Sequence, residues 1–118
     1  MHGLPNPTHQ TDWDQLEQTA QSFLDSRWPY IGEGLLALLP LLKANQYINP
    51  ALVYTSMGTL ILEFPPDYEL PKFHIEVLEP DRIKLYWYGS NPLDYESDHN
   101  IVGPIREVFE QLLWQIMG

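Results

Sequence analysis

Residues 1 to 10 of the chain hold one leucine, two prolines and no periodic apolar face, so they read as an extended or mobile, flexible leader. From Thr11 the pattern becomes helical. At 100° per residue Trp13, Leu16, Ala20, Phe23, Leu24 and Arg27 fall on one side, while Asp14, Glu17, Gln18, Gln21 and Asp25 fall on the other. Asp12 is a candidate N-cap with Gln15 three places on, and Pro29 is expected to end the helix. In the following stretch, "YIGEGLLALLPLLKANQYINP", the leucines cover every side of a helix, the pattern of a segment surrounded by other protein. Pro40 lies inside the run and should either kink the helix or open a shorter second piece.

At Ala51 the period changes from 3.6 to two. "ALVYT" and "TLILEF" flank "SMG" and predict a hairpin, and the prolines of "PPDYELP" interrupt the sheet. "FHIEVLEPDRIKLYWYGS" then predicts two further strands turned at Glu79-Pro80-Asp81-Arg82. Strict alternation sets Phe73, Ile75, Val77, Ile83, Leu85 and Trp87 against the core, and His74, Glu76, Lys84, Tyr86 and Tyr88 on the opposite face. Residues 89 to 100, "GSNPLDYESDHN", read as a surface loop. A closing helix is expected from Ile101, with Ile105, Val108, Phe109, Leu112, Leu113 and Ile116 on its stripe and Pro104 in its first turn. Trp114 falls nearly opposite that stripe and should be at least partly exposed.

The expected architecture is therefore α+β in the order αα-ββββ-α. Residues 11 to 118 would form a single domain in which a four-stranded antiparallel meander packs one face on the helices. The 118 residues, 44% of them hydrophobic, suffice for one folded core. Sixteen acidic against six basic residues give a formal charge of −10, the reverse of a phosphate-binding footprint, so direct nucleic-acid binding is disfavoured and a basic protein partner favoured. The absence of cysteine excludes disulfides, thiolate metal sites and thiol nucleophiles, and is compatible with a cytoplasmic setting. "LLALLPLLKA" is about half the length of a membrane span, and the N-terminus does not read as a secretory signal peptide.

No constellation reaches a catalytic or cofactor motif. Asp94, Glu96, Asp98 and His99 gather oxygen and nitrogen ligands, but a calcium loop would need glycine at His99 and a bidentate glutamate at Ile105. The four histidines lack zinc spacing. Glu63, Glu76 and His74 offer carboxylates and an imidazole to one sheet face, yet no nucleophile or phosphate loop accompanies them. Seven tyrosines and four tryptophans suit an interface, since both residues cover apolar area and keep a polar tip wet.

The cadence of "VYTSMGTLILEF" followed by "FHIEVLEPDRIKLYWY" resembles a pattern of small bacterial proteins in which a glycine-turned hairpin ends in an aromatic residue and two short strands follow. Phe64 stands at the aromatic position, and Arg82 stands where a glycine is common. In size, acidity and α/β order the chain is also similar to antitoxins, immunity proteins and secretion chaperones of bacteria, which implies a non-enzymatic binder without a cofactor. The expected contact residues are Tyr86, Tyr88, Glu63, Glu76, His74 and Trp114, and the partner is another protein or a second copy of the chain. An anionic mimic of nucleic acid, using the acidic side of the first helix, is the second function class. A small enzyme built on His74 and the sheet carboxylates is the third.

Overall fold

A computed structural model describes residues 10 to 88 and 99 to 118. Three helices and an antiparallel sheet form an α+β fold in the order α1 (Trp13–Leu24), α2 (Pro29–Lys43), β1 (Leu52–Ser56), β2 (Thr59–Glu63), β3 (Phe73–Glu79), β4 (Arg82–Trp87), β5 (His99–Pro104) and α3 (Ile105–Met117). A 3₁₀ turn at Pro66–Tyr68 bridges β2 and β3. The sheet is a meander in which each strand pairs with its chain neighbour, from β1 at one edge to β5 at the other.

Asp12 caps α1 as its composition suggests, its carboxylate accepting the Gln15 N–H at 3.0 Å. Helix α1 stops at Leu24, before Arg27, and Pro29 opens α2 instead of ending α1. Proline fits there because the first turn has no partner for its missing N–H. Helix α2 is continuous through Pro40, and it is not surrounded on every side. Leu35, Leu38, Leu39 and Leu42 are buried, whereas Glu33, Pro40 and Lys43 face solvent. Placing Pro40 on the solvent side leaves the freed Leu36 carbonyl within reach of water.

The β1–β2 hairpin turns on Met57 and Gly58, both at positive φ (52° and 86°), the pairing a type I′ turn requires. Its twist matches the strands it joins and fixes the register Ser56 opposite Thr59. At the second hairpin the register shifts between Val77 and Glu79, a bulge beside the Pro80–Asp81 turn.

The sheet has five strands where four were expected, and α3 begins at Ile105, not Ile101. Ile101 and Ile105 are four residues apart, so Ile101 satisfies a helical stripe by spacing alone. Two other preferences decide the local structure: Ile101 and Val102 are β-branched, and the residue before Pro104 is biased to extended backbone. Pro104 is accordingly the N-cap of α3, and the expected loop yields His99 and Asn100 to β5. The rest of that loop, with Asp94, Tyr95, Glu96 and Asp98, and residues 1 to 9 of the leader lie outside the described residues.

One core joins the layers. Phe73, Ile75, Val77, Ile83, Leu85 and Trp87 project from the sheet, as alternation predicts, onto Leu16 and Ala20 of α1, the α2 leucines, and Ile105, Val108 and Leu112 of α3. Helix α1 rests on α2, α2 on β3, and α3 on β4 and β5, so all three helices cover the same side. No helix among the described residues is long and apolar enough to cross a membrane.

Candidate functional site

The face turned away from the helices is organised in rows across the strands. Register brings Tyr54, Ile61, His74, Tyr86 and Asn100 into line from β1 to β5. A parallel row holds Glu76, Lys84 and Val102.

His74 and Tyr86 are opposed residues of β3 and β4, and their rings stack at 4.9 Å with 10° between the planes. Tyr88 stands edge-on to both, 5.8 Å from His74 and 6.2 Å from Tyr86, so the three rings form one cluster. Edge-to-face contact suits the quadrupoles of the rings and holds each in one orientation. Lys84 places its ammonium 5.4 Å from the centre of the Tyr86 ring, a cation–π contact on the same face. Tyr88 remains 41% exposed, which makes it the outermost ring of the cluster.

The electrostatics follow from this packing. Desolvation holds the His74 imidazole below its ordinary pKa, and the Lys72 ammonium adds to the effect. Burial raises the Tyr86 phenol, seconded by Tyr88 and Glu76, so both rings are neutral at physiological pH. Lys72 donates to Glu63 at 3.0 Å, and that bond, aided by nearby Tyr54 and by the carboxylate's charge, raises the lysine. Glu76 lies opposite Lys84 by register. The charges of this face are therefore matched in cross-strand pairs, Glu63 with Lys72 and Glu76 with Lys84.

Five of the six expected contact residues, His74, Tyr86, Tyr88, Glu63 and Glu76, share this face. Trp114 does not join them. It is 67% exposed on α3, in the opposite layer of the molecule. Two contributors escaped the sequence reading. Lys72 lies before β3 in a proline-rich stretch, and only the β2–β3 register sets it beside Glu63. Ile61 sits at 9% exposure near the middle of this face, flanked by Tyr54 and His74. Its apolar character was visible, but "LILE" gave no sign of which face would cover it.

A cleft of about 610 Å³ opens at the end of the sheet, lined by Glu69, Lys72, His74, Trp87, Tyr88 and His99. His99 stacks on Trp87 at 5.0 Å, so each of the two histidines on this rim is packed against an aromatic ring. No serine, threonine or cysteine lines this cleft.

The structure defines an α+β fold with a five-stranded antiparallel meander and an aromatic cluster on the sheet face turned away from the helices. Comparison with known proteins adds no relative: no family model, no curated protein and no solved structure matches the chain.

Proposed function

We propose that the protein is a non-enzymatic binding module that docks another protein on the uncovered sheet face, with Tyr86 and Tyr88 at the centre, His74 packed beside them, and Glu63 and Glu76 orienting the partner. The observation that carries this reading is the His74, Tyr86 and Tyr88 cluster, three rings in mutual contact on a face that no helix among the described residues covers. Rigid aromatic rings offer contact area at small entropic cost, and a charge-matched surround lets them desolvate without stranding a lone ion. Among the described residues, acidic side chains also stand away from this face, on α1 with Asp14 and Glu17 and at the β3–β4 turn with Glu79 and Asp81. A field of that sign steers a basic partner toward the molecule and acts on the rate of encounter, while the aromatic centre sets how long the complex lasts. A neutraliser of the immunity or antitoxin type, or a dedicated chaperone or complex subunit, working in the cytoplasm without a cofactor, fits this reading.

Salt separates it from mimicry of nucleic acid. Raising salt from about 0.1 M to about 1 M shortens the Debye length from about 10 Å to about 3 Å. Partner captured from the native host and identified by mass spectrometry should stay bound through that change if the aromatic centre holds it. Elution over the same range would assign the binding to the acidic side of α1 and overturn the proposal.

A further inference from the structure

The two edges of the sheet are finished differently. At β1 the Thr11 hydroxyl donates to the Ala51 carbonyl at 3.2 Å and accepts the Val53 N–H at 2.9 Å, which occupies outward-facing groups of that strand. At the other edge β5 pairs, among the described residues, with β4 alone. The Ile105 N–H donates to the Asp81 carbonyl at 3.1 Å across the Arg82 and Pro104 pair, which identifies that pair as the type without bonds of its own. Alternation then assigns the bonded pairs to Ile83 with Gly103, Leu85 with Ile101, and Trp87 with His99. The N–H and C=O groups of Asn100 and Val102 consequently point out of the sheet, and both residues are exposed. His99–Pro104 contains no Asp, Glu, Lys or Arg, and its one edge-blunting residue, Pro104, stands at the last position, beyond Asn100 and Val102.

We propose that β5 pairs with β5 of a second copy of this chain, antiparallel about a two-fold axis at Ile101. The strand is self-complementary in that register. Asn100 of each copy faces Val102 of the other, and because both present their backbone groups outward, two bonded pairs give four main-chain hydrogen bonds. Ile101, half-buried on the helix side, meets the partner's Ile101 across the axis and extends the core. On the opposite face Val102, 45% exposed, meets the partner's Asn100, so no charged side chain opposes its like despite the net charge of −10. Helix α3 rests over β4 and β5 alike. At a strand spacing of about 4.8 Å the two copies of α3 then lie about 10 Å apart across the axis, the distance at which helices pack. The two aromatic faces join in one ten-stranded sheet. This pairing is independent of what docks on Tyr86 and Tyr88.

The test is the mass of the full chain in solution, measured by sedimentation equilibrium from micromolar concentration to about 1 mM, with the folded state checked by far-UV circular dichroism. The wild type should reach twice the 13.8 kDa chain mass. Val102→Pro removes an outward N–H and no bond to β4, so it should weaken association at least tenfold, about 1.4 kcal/mol, with the circular dichroism unchanged. Val102→Lys keeps the backbone donor and sets a charge at the joint; it should weaken association likewise, and it decides the matter if the proline variant does not fold. A wild type that stays monomeric at about 1 mM overturns the proposal. A dimer that both folded variants retain overturns it too, and would assign self-association to another surface such as Trp114.

Discussion

His74 is pressed against Tyr86 and approached by Lys72, and both effects disfavour its cationic form. Its pKa in the folded protein lies below the 6.5 of the free imidazole, so between those two values the unfolded chain binds more protons than the native one. The sign follows directly. Stability from this residue is complete above about pH 6.5 and is lost as pH falls toward the folded pKa. In thermal melts over this window the wild type should lose melting temperature faster than His74→Gln as pH drops. Parallel curves would mean that the ring is freely solvated. Gly32 sets a second local limit. A Cβ there would lie 2.5 Å from the Ala20 carbonyl oxygen and 2.9 Å from the Leu24 nitrogen, both backbone atoms of α1. Alanine is intrinsically the better helix former by about 1 kcal/mol. Gly32→Ala should nonetheless lose about 1–3 kcal/mol in denaturant titration, because α1 must move away. An unchanged midpoint would show that the two helices slide apart freely.

At the scale of elements, Pro40 withholds the N–H that the Leu36 carbonyl would accept, in the interior of a continuous helix. Proline is about 3 kcal/mol worse than alanine in such a position, and the freer unfolded chain of the variant returns about 0.4–1 kcal/mol of that. Pro40→Ala should therefore stabilise by about 2 kcal/mol in denaturant unfolding, and a loss would mean that Pro40 fixes a bend on which the α2 leucines depend. Alternation made β1 to β4 legible because one face of each is buried and a slip by one residue would reverse it. The same alternation sets His74, Glu76, Tyr86 and Tyr88 on one face. Element β5 was not legible. Six residues with one half-buried isoleucine carry little period, and the Ile101 to Ile105 spacing imitates a helix that starts one turn later. Cross-strand neighbours such as Glu63 and Lys72 come from register, which hairpin turns fix and composition does not.

Among the described residues the three helices lie on one side of the sheet and the aromatic cluster on the other, so the cluster and Trp114 sit in opposite layers. That separation permits a clean comparison. Tyr86→Ser with Tyr88→Ser removes two rings from the uncovered face while the buried set from Phe73 to Trp87 stays intact, so the fold should survive. Trp114→Ala alters the far layer alone. The most direct measurement is quantitative capture of the native partner by the wild type, the double tyrosine variant and Trp114→Ala, each first shown to be folded by its thermal melt. If the partner docks on the uncovered face, the double variant loses capture by about tenfold or more, about 1.4 kcal/mol, and Trp114→Ala retains it. Full capture by the folded double variant would contradict the docking face.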